Sequence, residues 1–123
     1  MRTGARKDAN HNEIQRCFEK MGYSVKDVSQ LPGFCDLVIG KPNFTKLIEI
    51  KDGSKPPSKR VLTPAEQDFH NYWNDEVAII ESIEDVVAFD KAAREKPNFQ
   101  GRRNKDKLSN NLEHLSLQVK NSV

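Results

Sequence analysis

Asp36, Glu49 and Lys51 are the residues of this chain whose types and spacing suit chemistry. Asp36 stands in Gly33-Phe34-Cys35-Asp36-Leu37-Val38-Ile39-Gly40, and the other two in Lys46-Leu47-Ile48-Glu49-Ile50-Lys51. The order is acid, gap, acid, one apolar residue, lysine. Such a trio can hold a divalent cation against a phosphodiester and cut it. Mg2+ prefers oxygen ligands, keeps several waters and is commonly bound by one or two carboxylates plus substrate phosphate. Asp36 and Glu49 would be those carboxylates, with the backbone carbonyl of Ile50 as a further ligand. Lys51 would orient the attacking water or stabilise the extra charge of the transition state. The same spacing also suits a plain strand-face salt bridge, with Lys51 paired to Glu49, Asp36 or Asp52.

The elements that must position these groups are legible as patterns. Residues 10–21 read as a helix, because Ile14, Cys17, Phe18 and Met21 recur at i, i+3, i+4, i+7 and Gly22 supplies a stop. Residues 23–28, 34–39, 47–51 and 76–80 read as strands. Gly40-Lys41-Pro42-Asn43 suits a hairpin turn between the second and third. Pairing about Pro42-Asn43 sets Asp36 roughly opposite Glu49. Side chains alternate faces, so Glu49 and Lys51 point one way and Ile48 and Ile50 the other. Charge inside runs this apolar is unusual, since burying it unpaired is costly.

After the third strand, Asp52-Gly53-Ser54 and Lys55-Pro56-Pro57-Ser58-Lys59 predict a loop over 52–60. A second helix then begins sharply, with Thr63 as N-cap, Pro64 in the first turn and Glu66 completing a capping box. Ala65, Phe69, Tyr72 and Trp73 are expected as its buried stripe. Ser82 caps a further helix carrying Val86, Val87 and Phe89. The sequence therefore predicts an α/β fold, a small mixed central β-sheet flanked by helices, over 1–96. Over 97–123 a polar linker leads to a C-terminal helix marked by Leu108, Leu112, Leu115 and Val119.

Size and charge narrow the classes. With 123 residues there is room for one modest domain. No apolar run can cross a membrane, and no apolar stretch follows the basic start, so a cytoplasmic location is expected. Cys17 and Cys35 sit in apolar segments without metal-ligand spacing and read as reduced core cysteines. The net charge of +2 does not by itself mark a nucleic-acid binder. Basic residues nevertheless cluster at Arg6 and Lys7, and at Lys55, Lys59 and Arg60 directly after Lys51. That placement suits phosphate contacts.

Taken together, several segments resemble the PD-(D/E)XK nuclease superfamily, and more narrowly its small phage VRR-NUC and Holliday-junction-resolvase-like proteins. The carriers are Asp8-Ala9-Asn10-His11-Asn12-Glu13-Ile14, Gly33-Phe34-Cys35-Asp36-Leu37, Ile48-Glu49-Ile50-Lys51-Asp52-Gly53-Ser54-Lys55-Pro56-Pro57, and Leu62-Thr63-Pro64-Ala65-Glu66-Gln67 with Phe69, His70 and Trp73. The resemblance implies a restriction-endonuclease-like core and a Mg2+-dependent endodeoxyribonuclease, with Mn2+ able to substitute. Branched or junction DNA, flaps, single strands and plain duplex all stay open as its substrate, in phage DNA processing or recombination. The metal-binding acids map onto Asp36 and Glu49 and the catalytic lysine onto Lys51. The family's first-helix acid maps onto Glu13, for a second metal or a metal-bound water, and its second-helix glutamine onto Gln67. Cys35 stands where the family usually has proline, a change that touches strand shape more than chemistry. A homodimer or higher homo-oligomer would place two sites on two strands. The rival reading is a non-catalytic DNA-binding or assembly module that keeps the fold.

Overall fold

The computed structural model describes residues 7–99. Its elements run in the order helix α1 (His11–Lys20), strands β1 (Ser24–Asp27), β2 (Leu37–Lys41) and β3 (Phe44–Ile50), helix α2 (Pro64–Tyr72), strand β4 (Val77–Ile80) and helix α3 (Ile83–Arg94). The four strands form one sheet in the order β1-β2-β3-β4. The first three are antiparallel meanders, and β4 lies parallel to β3. A parallel pair needs a crossover, which the loop after β3 and α2 provide. This is the expected mixed sheet flanked by helices.

Local chemistry explains the boundaries. Pro42 and Asn43 form the β2–β3 turn, and Asn43 adopts a left-handed φ of 60°, a conformation asparagine tolerates. The strand expected over 34–39 begins later, at Leu37, and for a physical reason. The Asp36 side chain accepts a hydrogen bond from the Ile50 amide at 2.7 Å, where a strand backbone would otherwise pair. Thr63 and Glu66 form the reciprocal capping box at the start of α2, and the Ser82 hydroxyl accepts from the Asp85 amide to start α3.

The sheet separates two apolar clusters. One face carries Leu37, Ile39, Ile48, Ile50 and Ile80 against Ile14 and Phe18 of α1 and Val86 and Ala93 of α3. Full burial of each large aliphatic or aromatic side chain stabilises by roughly 1.5–3 kcal/mol. The opposite face carries the smaller cluster of Cys35, Leu47 and Val77, beneath Phe34 and Phe69. That is the face of α2, and on it the alternation of β3 also puts Thr45 and Glu49. Ile48 and Ile50 point away from Glu49, as the strand period requires.

One expectation needs correction. Helix α2 has no buried residue: Ala65 is exposed and Tyr72 is 77% exposed. The inward face is set by Glu66, Phe69 and His70, a mostly polar stripe that an apolar count misses. The Phe99 ring packs on Tyr23 and Phe44 with centroids 6.4 and 5.3 Å away. The predicted 108–119 helix lies outside the described residues. No helix among the described residues is long and apolar enough to cross a membrane.

Candidate active site

Asp36 and Glu49 are brought together as the strand pairing requires. Leu37 pairs with Ile48, and the Asp36 amide donates to the Ile48 carbonyl at 3.0 Å, just ahead of that pair. Glu49 is 3% exposed. Burial, then a hydrogen bond shared with Asp36 and the charges of Asp36 and Glu66, push its carboxyl up to about 10, against a smaller opposing pull from Lys51. Two carboxyls held so closely must share a proton or a cation. The pair thus offers hard oxygen donors in a place where ionisation needs positive charge nearby, and Mg2+ fits that need. Among the described residues no group of three or more His, Cys, Asp or Glu is placed to hold a metal ion.

Lys51 follows on the same face and is 9% exposed. Its ammonium does not rest on either acid of the pair. It donates to Glu66 Oε1 at 2.6 Å. The same oxygen accepts from the Thr63 amide at 2.8 Å, so one carboxylate caps α2 and holds the lysine. Burial tends to raise the Glu66 carboxyl, but Lys51 and Thr63 outweigh it and lower the net value. One helical turn on, His70 Nε2 lies 3.7 Å from Glu49 Oε1 and has no hydrogen-bond partner. Burial first, and Lys51 next among the lowering influences, favour the neutral imidazole. At 3.7 Å the contact is too long for a hydrogen bond.

The strand end is fixed from three sides. The Lys51 amide donates to the Ile80 carbonyl at 3.0 Å. Asn10 Nδ2, at the start of α1, donates to the carbonyls of Lys51 (3.1 Å) and Glu81 (3.0 Å), tying β3 to the end of β4. Gly53 passes so close to Glu81 that a Cβ there would lie 2.7 Å from its carbonyl oxygen. Ser54 closes the turn through its amide and hydroxyl onto Asp52.

The other predicted site residues are distributed differently. The Ile50 amide donates to Asp36 Oδ2 at 2.7 Å. Glu13 is exposed and lines a neighbouring cleft of about 690 Å³ with Asn10, Asp52, Arg60 and Glu81. The N-terminal acid that senses the site is Asp8. Burial raises its carboxyl, and Lys51 and Asp36 are the nearest charges acting on it. Gln67 is exposed and donates to Asn71 along its own helix, as its place on the helical wheel dictates. Glu66, the residue before it, takes the inward position.

The basic residues also divide. Lys55 and Lys59 are exposed beside the site. Arg60 is engaged with Glu81 Oε2 (3.2 Å) and the Lys55 carbonyl (2.7 Å), so it shapes the loop. Lys7 pairs with Asp27 at 2.8 Å, and Arg6 lies outside the described residues. Cys35 is buried, and burial, with Glu49 next, pushes its thiol up to about 12, which makes it unreactive. Sequence reasoning passed over Glu66 and His70 as site residues. Their i, i+4 spacing on a helix already framed by Thr63 was the signal for them. Asn10 gave none beyond its place before the helix.

No family model, no curated protein and no solved structure matches this chain.

Proposed function

We propose that this chain is a Mg2+-dependent endodeoxyribonuclease of the PD-(D/E)XK type, acting in the cytoplasm on DNA phosphodiester bonds. The observation that carries the reading is the buried Glu49 carboxyl held against Asp36, with Lys51 on the same face. A carboxyl pair that needs a shared positive charge is an unfavourable thing to keep in a small fold without a use for it.

Asp36 and Glu49 would hold the cation. When bound, Mg2+ polarises the scissile phosphate and makes an attacking water more acidic. Lys51 sets its ammonium toward the charge that grows on the phosphoryl oxygens, and Glu66 fixes the direction of that side chain. His70 stands 3.7 Å from Glu49, and burial favours its neutral form, so it adds no competing charge. Lys55 and Lys59 contact backbone phosphates, giving salt-dependent affinity without base reading.

The test is cleavage of duplex, single-stranded and branched DNA with Mg2+ or Mn2+ by the wild type, Glu49→Gln and Lys51→Ala. Folding of each variant is checked by circular dichroism. The proposal expects metal-dependent cutting by the wild type and a loss of at least a hundredfold in each variant. Equal cutting by folded variants defeats the assignment.

A further inference from the structure

A second cleft lies along the same sheet face. It measures about 530 Å³ and is lined by Thr45, Leu47, Tyr72, Trp73, Asn74 and Asp75. Thr45 and Leu47 precede Glu49 by four and two residues on β3, and all three share one face. At about 3.3 Å per residue they stand roughly 13 and 7 Å from the carboxyl pair. Helix α2 runs beside the strand in the opposite sense. Glu66 meets Lys51, His70 meets Glu49, and the end of the helix delivers Tyr72 and Trp73 to the cleft.

The lining is unusual for a surface. The chain has one tryptophan and two tyrosines. Trp73 and one of those tyrosines stand side by side here, 39% and 77% exposed, while Tyr23 is buried. Trp73 is also braced. Its ring leans on Phe69 at 5.6 Å and 31°, and Phe69 meets Phe34 edge-on at 5.3 Å. A held aromatic loses little freedom on stacking a planar partner. The acid at the cleft's edge is neutralised, because Asp75 accepts from Lys46 at 2.7 Å. Thr45 and Asn74 add groups that can bond to a base edge.

We propose that this cleft receives an unpaired nucleobase of the strand whose phosphate lies at Asp36 and Glu49. This proposal rests on the nuclease reading and narrows its substrate to DNA with unpaired nucleotides a few residues from the cut. Successive nucleotides of a stacked strand rise about 3.4 Å along the helix axis and their phosphates lie farther apart than that, so the cleft lies within about four nucleotides of the site. A base in an intact duplex is stacked on both sides and has no free face for Tyr72 or Trp73. Unpaired bases have one, and aromatic platforms hold them with little regard to sequence.

Trp73 is its own reporter, since it is the single tryptophan. The full chain is titrated in Ca2+ with an oligothymidylate, and separately with a blunt duplex of equal length, while its fluorescence is followed. The expected result is saturable quenching by the single strand and none by the duplex. Tyr72→Ala, at a position too exposed to burden folding, weakens single-strand affinity about tenfold or more, and Tyr72→Phe restores it. Absence of quenching by the single strand, or equal quenching by the duplex, overturns the proposal. So does a Trp73 signal that changes with protein concentration alone, which assigns the cleft to a second copy of the chain. The readout needs no cleavage. Failure of the nuclease assignment appears as equal cutting by Lys51→Ala, and failure of the stacking site as Tyr72→Ala with unchanged affinity.

Discussion

Breaking the Lys51–Glu66 pair should cost more than a surface ion pair is worth, and a double-mutant cycle measures the difference. The two groups meet at 2.6 Å with side chains 11% and 25% exposed. At that separation the gross attraction is on the order of 5 kcal/mol for the effective dielectric of a protein site, and desolvation of both ions offsets part of it. An exposed pair typically contributes up to about 1 kcal/mol. Glu66→Gln keeps the side-chain acceptor that the capping box needs, so it removes charge while leaving the cap. It strands a buried ammonium, and a loss of about 3 kcal/mol is expected, the low end for broken buried pairs because Glu66 is a quarter exposed. Lys51→Met removes the other partner but leaves Glu66 its Thr63 amide and some water, so it should cost about 1 kcal/mol. The double variant should resemble Lys51→Met, giving a coupling of roughly 2–3 kcal/mol. Urea unfolding of the four proteins yields these values. Additivity within about 0.5 kcal/mol would refute the account of Lys51 as a charge held in place by Glu66.

Further expectations concern pH and packing. Glu49 is raised in the folded chain, so its neutral form is the stable one, and metal-free protein should lose stability as pH climbs from 4.5 toward about 10. The loss is on the order of 1 kcal/mol per pH unit, and Glu49→Gln, still facing Asp36, Glu66, Lys51 and His70, should lack that slope in urea titrations with chelator. Asp27 behaves oppositely. Burial raises its carboxyl, but Lys7, Ser29 and His11 outweigh that and hold it below its ordinary value of 3.8. Its contribution is full above that value and fades as acid protonates it, so Asp27→Asn should be less stable near neutrality by about 2 kcal/mol and should lose less on acidification. Gly53→Ala would press a methyl against the Glu81 carbonyl, so thermal melting should report a loss of about 1–3 kcal/mol.

What could be read from the chain was whatever depends on near neighbours. The strand period placed Glu49 and Lys51 on one face, and the Pro42-Asn43 turn set Asp36 against Glu49, because turn length fixes register. The Thr63–Glu66 capping box was visible because all its atoms lie within one helical turn. The second task of Glu66 was not, since it depends on where α2 settles over β3. Counting apolar residues predicted that α2 buries Ala65 and Tyr72. The helix instead turns Glu66 and His70 inward, toward a partly polar face that no apolar period describes. Asp8 comes under the charges of Lys51 and Asp36 because Asn10 ties the start of α1 to the ends of β3 and β4, a contact across 41 and 71 positions of sequence.

The shared oxygen of Glu66 links two events that are usually separate. Helix α2 has no fully buried residue, and elements with few buried contacts are the ones that open locally before a domain unfolds. When its first turn opens, Thr63 releases the carboxylate and Lys51 is released with it. Amide exchange at Gln67, whose N–H is bonded to the Thr63 carbonyl at 2.8 Å, would therefore time the freeing of the lysine. Warming should free Lys51 at temperatures where the α1–α3 side of the sheet is still folded.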